Sequence, residues 1–290
     1  MVRSTWRGAA YLSLAASIWG GMFVMVRVAT SVIPPVPLVW LRYLTAAVAI
    51  FLFSVARGVS WHVSAKDWRL IFLIGLMGQT ISIVTQETGT MMTSAQMGSI
   101  ITAATPAFMV IFARLILHEA LTPGRILSVA LATAGVLAIV AGPGEVEMGS
   151  FWGSLSLVVA ALTWALMSIL LKKLPQYPTV TVTFYGVLVA LALLAPPSLW
   201  WLASAEREAI LAAPILLSVL YLGIVSTFGG FCLWNMGLRE MDATVSGLFF
   251  FFQPVVGTLL GWLFLGEAVT PWFFLGSALI AAGVLLAMRP

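Results

Sequence analysis

Gln79, Ser82 and Gln86 are spaced three and four apart, so a helix sets all three on one face. Inside an apolar run, amides and a hydroxyl at that spacing suit holding a polar solute rather than breaking bonds. Thr102 and Thr105 repeat the theme just before Pro106, and Gln253 immediately precedes Pro254. Trp19 and Trp164 stand in Ile-Trp-Gly and Thr-Trp-Ala, and Phe228 adds an aromatic ring further on. An aromatic box carrying amides and hydroxyls fits an uncharged or zwitterionic amphipathic solute. Trp19, Gln79, Ser82, Thr102, Trp164, Phe228 and Gln253 therefore form the candidate substrate-binding set. The simpler reading of each tryptophan is interior packing, and of each amide an interhelical hydrogen bond.

Ionisable residues inside apolar runs are functional suspects by default. Arg42 and Glu87 are the two such candidates for coupling, both toward the ends of their runs. His118-Glu119 opens like a zinc-protease motif, but position 122 is Thr, so the second histidine is missing. No metal cluster, phosphate loop or Ser-His pair is visible, so neither a cofactor nor an enzyme activity is expected. The single cysteine, Cys232, sits in an apolar run and reads as a buried small hydrophobe.

The elements that must position these side chains follow from composition. Of 290 residues, 61% are hydrophobic and 8% charged, against about 25% charged in an ordinary soluble domain. No soluble core of this length absorbs that much apolar surface, so the chain reads as an all-α polytopic membrane protein. The net charge of +4 forms no basic stripe, which argues against nucleic acid as a partner. A helix needs roughly 20 apolar residues to span the hydrocarbon. Ten candidate spans fall at about 8–29, 36–57, 69–88, 95–117, 124–142, 150–171, 179–202, 212–236, 243–265 and 271–288. Pro34-Pro35, Gly142-Pro143-Gly144, Pro175 to Pro178 and Pro271 separate them. The first span is too long for a signal-peptide core and reads as a retained helix.

Lys and Arg near the span ends set orientation. With the N-terminus inside, Arg3, Arg7, Arg57, Lys66, Arg69, Arg114, Arg125, Lys172, Lys173, Arg239 and Arg289 fall on one side. The other side receives Arg207, with Arg27 and Arg42 also toward it, and carries Glu145, Glu147, Glu206 and Glu208 in its loops. Both termini are expected to be cytoplasmic, in an inner (cytoplasmic) membrane. Trp61, Trp68, Trp200, Trp201 and Trp272 lie at span ends as interfacial anchors, and part of the run Phe249 to Phe252 is expected to face lipid.

Sliding the chain by 148 residues overlays it on itself. Pro106 falls on Pro254, Glu119 on Glu267, Thr122 on Thr270, Pro123 on Pro271, Gly75 on Gly223 and Gly89 on Gly237. Chance likeness between apolar helices does not bring Glu, Pro and Gly into ungapped register. The chain thus divides into repeats at 1–142 and 150–290, each of five spans. Five is odd, so the second repeat enters the membrane inverted. Inverted repeats place a substrate site near the midplane between the halves and permit alternating access. The matched Pro106 and Pro254 are expected to kink their helices and serve as gating elements. Glu119 and Glu267 read as structural, each accepting from the amides that open the next helix. Gly257 and Gly261 suit close helix packing within one chain rather than a dimer seam, so a monomer is expected.

Several of these stretches together resemble the EamA-type branch of the drug/metabolite transporter superfamily. They are Ile18-Trp19-Gly20-Gly21-Met22-Phe23, Leu41-Arg42-Tyr43-Leu44-Thr45-Ala46, and the pairs Pro106/Glu119 and Pro254/Glu267, ending in Leu265-Gly266-Glu267. The resemblance covers nearly the whole chain. It implies ten helices in two inverted five-helix repeats and export of small metabolites. Within the branch the chain is similar to YddG-type amino-acid exporters. The expected activity is a secondary transporter of amino acids, aromatic or neutral, or of similar amphipathic solutes. The alternative is a channel-like or lipid-translocating membrane protein.

Overall fold

A computed structural model of the chain describes residues 2–140, 151–266 and 271–287, and every regular element among them is a helix. Among the described residues, eight helices are long and apolar enough to cross a membrane. They are α1 (Trp6–Ala29), α2 (Pro35–Ala56), α3 (Ala65–Met92), α4 (Ala95–Leu117), α6 (Phe151–Leu171), α7 (Thr179–Ser204), α8 (Ala213–Glu240) and α9 (Ala243–Phe264). Two further apolar helices, α5 (Pro123–Val140) and α10 (Pro271–Ala287), complete the order. The expectations for Gly142 to Gly144, Glu145, Glu147, Glu267, Thr270 and Arg289 lie outside the described residues.

Apolar side chains point outward along the helices, among them Phe51, Leu52 and Val55 on α2, Leu115 on α4, and Trp262, Leu263 and Phe264 on α9. Surface of this kind belongs in lipid rather than water. Inside, the helices pack in a pattern that repeats. The helix pairs α5–α10, α4–α9 and α2–α7 are in contact. α1 lies against α8 and α9, while α6 lies against α3 and α4. α3 also meets α7, and α8 meets α2. Advancing every helix number by five exchanges these contacts among themselves.

The matched glycines explain part of that exchange. A Cβ on Gly75 would lie 3.0 Å from the Gly186 carbonyl of α7, and one on Gly223 only 2.5 Å from the Arg42 carbonyl of α2. Each glycine lets one half's helix press on the other half's backbone. Gly223→Ala should therefore push α8 off α2 and cost about 1–3 kcal/mol from overpacking, read as a lower Tm in detergent. Gly124→Ala is the control, because among the described residues only Thr122 Oγ1 comes within reach of the new methyl, at 4.0 Å. Gly257 has a similar close neighbour, Ser99 of α4, so its packing is within the chain.

Near mid-length the backbone loosens at matched places. Turns widen to a π-helical spacing over Gly75–Ser82 in α3 and Tyr221–Gly230 in α8. Thr80 Oγ1 donates to the Gly75 carbonyl at 3.0 Å, and Thr227 Oγ1 to the Leu222 carbonyl at 2.8 Å. Wide turns of this kind leave carbonyls to satisfy and recur at functional sites. α4 breaks at Ala103–Ala104, just before Pro106, and α9 tightens into a 3-10 turn at Phe249–Phe251, just before Pro254. Proline has no N–H to reach back four residues. Thr105 Oγ1 donates instead to the carbonyl of Thr102, at 2.6 Å.

Three sequence expectations need correction. Phe249, Phe250 and Phe251 are all buried and Phe252 is half-buried, because the tight turn folds the run into the interior. Cys232 is half-buried rather than buried. Glu119 caps a helix, as expected, but among the described residues the amides it holds are those of α9, not of the next helix. Its carboxylate accepts from Ala243 N at 2.9 Å and Thr244 N at 3.2 Å, the first amides of α9 in the other half. The wide last turn of α4 and the left-handed His118 (φ 57°) carry Glu119 to that partner.

Candidate functional site

The tryptophans of α1 and α6 meet at the centre of the bundle. The rings of Trp19 and Trp164 lie edge to face, 5.1 Å apart at 81°. Phe231 of α8 stands 5.0 Å from Trp164, and Phe250 of α9 stacks on Trp19 at 5.7 Å. Trp234 closes the group, 4.5 Å from Phe250. Edge-to-face and offset contacts of this sort fix ring orientation beyond what burial alone does. Gly20 helps bring the rings together, since a Cβ there would lie 3.0 Å from the Gln253 carbonyl of α9.

Beside this group lies a narrow cavity between the two sets of helices. The first half contributes Trp19, Met22, Ser82, Ile83, Gln86, Thr102 and Thr105 to its wall. The second half contributes Ala160, Ala161, Trp164, Phe231, Phe250 and Gln253. No lining side chain is charged.

Most polar groups on the wall already have partners. Trp19 Nε1 donates to the Ser226 carbonyl at 3.0 Å, an acceptor inside the wide turns of α8. Ser82 Oγ donates to the Ala160 carbonyl at 2.9 Å. Thr102 Oγ1 donates to the Gly98 carbonyl at 2.7 Å and lies 3.3 Å from the Gln253 side-chain amide. Two groups differ. Trp164 Nε1 and Gln86 Oε1 are buried with no hydrogen-bond partner among the described residues. Each such vacancy costs about 1–3 kcal/mol.

Five of the seven sequence candidates thus share one wall: Trp19, Ser82, Thr102, Trp164 and Gln253. Gln79 and Phe228 lie elsewhere. Gln79 is pressed against Gly186 of α7, and the ring of Phe228 packs on Phe53 of α2 at 5.3 Å. The reason is the wide turns. Over Gly75–Ser82 the α-helical count of three or four residues per face no longer holds, so Gln79 rotates away from Ser82. Met22, Ile83, Ala160, Ala161, Phe231 and Phe250 are on the wall without having been singled out. A lone apolar residue in an apolar helix carries no signal of which face it takes. Gln86 and Thr105 were visible in the spacing but stood outside the candidate set.

One charged pair lies next to the cavity. Arg42 Nη1 donates to Glu87 Oε1 at 2.7 Å, and both side chains are fully buried. The same guanidinium donates to Thr227 Oγ1 at 2.9 Å and to Ser226 Oγ at 3.3 Å. Met22 Sδ, on the cavity wall, is 3.5 Å from Arg42 Nη2. The pair so joins α1, α2, α3 and α8. In the matching place of the second half, Asn235 Nδ2 donates to Thr183 Oγ1 at 3.1 Å.

A multi-pass helical bundle with a cavity walled by both of its halves has the form of a membrane transporter. Residues 6–141 and 151–289 each match the EamA-like transporter family, and the chain belongs to it. A probable terminal-alkyne amino-acid exporter of Streptantibioticus cattleyicolor is 27% identical, over 96% of this chain and 92% of that one. A probable amino-acid metabolite efflux pump of Salmonella typhimurium is 26% identical, over 93% and 91%. A solved crystal structure shares the fold at a TM-score of 0.79 and 21% identity, covering 99% of this chain and 96% of the other.

Proposed function

We propose that the protein exports small amphipathic metabolites, amino acids foremost, by alternating access through the central cavity. The observation that carries this reading is the composition of the cavity wall. Both halves contribute to it, its rings offer an apolar surface, and its amides and indole offer polar contacts. A carrier needs a site that two halves can close from either side. The exchange of helix contacts under a shift of five supports two repeats related by a two-fold axis. Together with α5 and α10, the eight long helices make ten spans, an inverted second half and cytoplasmic termini. Pro106 and Pro254 sit at the breaks of α4 and α9 and would let each helix bend as one side seals. Glu87 and Arg42 are the candidate coupling pair. Facilitated exchange without a titrating group is equally served by the geometry.

The test is counterflow. Proteoliposomes holding the full chain and preloaded with unlabelled leucine should accumulate labelled leucine transiently and with saturation. A non-saturating flux would point to a channel, and movement of labelled phospholipid without solute flux to a lipid-translocating protein. Reporter fusions after Arg289 should read cytoplasmic and fusions at Glu145 to Glu147 external. A C-terminus outside would sink the inverted arrangement.

A further inference from the structure

We propose that Arg27 and Lys172 are matched bolts, one at each end of the bundle, and that the Lys172 bolt is the stronger, so that the protein rests with that end shut. The proposal rests on the transport reading above and adds what sets the balance between the two ends.

The two cations occupy equivalent places. Arg27 lies eight residues after Trp19, in the last turn of α1, and Lys172 lies eight residues after Trp164, where α6 ends. Arg27 Nη1 donates to the Met91 carbonyl at the end of α3, at 2.9 Å. Lys172 Nζ donates to the Met241 carbonyl just past the end of α8, at 2.7 Å. The last carbonyls of a helix have no amide within it to accept from, and the helix dipole draws a cation to that end. Each cation thus ties its own helix to the hairpin that joins α3 to α4 or α8 to α9. The ties stand at opposite ends of α4. Met91 comes just before its start, and Glu119, 3.7 Å from Lys172 Nζ, comes just past its finish.

The other contact of each hairpin shows which tie can part. The α3–α4 hairpin sits on Gly153 at the start of α6, where an added Cβ would lie 2.9 Å from Met92 Cβ. The α8–α9 hairpin sits on Gly8 near the start of α1, where an added Cβ would lie 2.8 Å from Met241 Cγ. Each hairpin is therefore seated closely on the start of one helix and tied to the end of the other by one long side chain. Close packing resists deformation, whereas a cation on a flexible stem lets go without repacking. Opening an end parts its bolt and keeps its seat.

The bolts differ in surroundings. Lys172 is partly buried and shares its place with the Glu119 carboxylate. Arg27 is exposed and has no ion pair among the described residues. Water competes for an exposed hydrogen bond, so its net contribution is small.

The experiment uses the full chain in lipid nanodiscs, both faces open to a water-soluble maleimide, with Cys232→Ser as background. Ser99→Cys in the first turns of α4 reports on the Arg27 end, and Ser246→Cys in the first turns of α9 reports on the Lys172 end; both serines are buried. Lys172→Met should speed labelling at Ser246→Cys about tenfold, the loss of one hydrogen bond to a charged group. Arg27→Met should speed labelling at Ser99→Cys only about threefold, since surface charge contacts are weak. Lys172→Arg and Arg27→Lys should keep the starting rates. Each methionine variant should also slow the reporter at the opposite end, because the ends alternate. A variant that merely loosens the fold speeds both reporters.

Unchanged labelling at a variant's own end, equal acceleration at both ends, or a larger effect from Arg27→Met would overturn the proposal. Leucine counterflow then decides the transport reading by itself. Acceleration at each variant's own end, in the stated order, with no slowing at the other and no leucine counterflow, would keep the bolts and sink the transport reading.

Discussion

Removing either member of the Arg42–Glu87 pair alone should destabilise the protein severely, and removing both together should restore most of the loss. Arg42→Met strands a buried carboxylate, whose second oxygen, Oε2, already has no partner among the described residues. Glu87→Leu strands a buried guanidinium on two hydroxyls and a thioether. Breaking a buried ion pair costs about 3–5 kcal/mol, while replacing it by apolar groups of similar volume is often neutral. Thermal unfolding in detergent should therefore rank the double variant Arg42→Met/Glu87→Leu close to the unaltered protein and both single variants far below. Leucine counterflow in the double variant then separates two roles. We expect it to persist, since the cavity wall is untouched, whereas accumulation driven by a proton gradient should vanish if the pair couples transport. Single variants as stable as the starting protein would show that water or lipid headgroups already reach the pair.

The helical, membrane-spanning character of the chain was legible because it depends on few variables: apolar runs of sufficient length and the breakers between them. The starts of α2 and α4 fall within a few residues of expectation because Pro35 and Ser94 begin helices by local chemistry. The repeat was legible for the same reason, since Pro, Gly and Glu in register leave a trace that Leu and Ala do not. Helix facing was harder. It relied on an even α-helical count, and that count fails over Gly75–Ser82 and Tyr221–Gly230. Gln79 was placed beside Ser82 by that count and lies off the cavity wall, whereas Phe228 was named for its ring alone, with no argument for its facing. Trp19, Thr102, Trp164 and Gln253 lie outside those two stretches, and Ser82 only at the edge of one. The contact between Arg42 and Glu87 was not legible, because sequence gives no distance between α2 and α3.

Glu119 was read as a helix cap from its position before Thr122-Pro123, and only the identity of the helix needed the structure. That identity sets the second large effect. Glu119→Ala should lower Tm more than Glu119→Gln, and Glu119→Gln more than Thr244→Ala. The carboxylate accepts from two backbone amides of α9 and from Thr244 Oγ1 at 3.0 Å, and Lys172 Nζ stands 3.7 Å away. Hydrogen bonds to a charged group contribute about 1.5–3 kcal/mol each, and negative charge at a helix N-terminus adds to this. The contacts share one carboxylate and are not additive, so about 3 kcal/mol is expected for the alanine. The glutamine keeps one acceptor but loses the charge. Thr244→Ala gives up the hydroxyl alone, and the double variant Glu119→Ala/Thr244→Ala should cost no more than Glu119→Ala, because the hydroxyl contact is already gone. Full additivity in that cycle would mean Thr244 is held by something other than Glu119. The consequence for transport follows from position. Glu119 sits at the far end of the helix that carries Pro106 and grips the first turn of the helix that carries Pro254. A change that bends α4 and α9 apart at this end must release the carboxylate, so the alanine variant should spend more time open there. A cysteine placed at Ser246, buried in the first turns of α9, should then react faster with a water-soluble maleimide in Glu119→Ala than in the unaltered protein. Equal labelling rates would make Glu119 a cap that holds the fold and leaves the opening of this end unaffected.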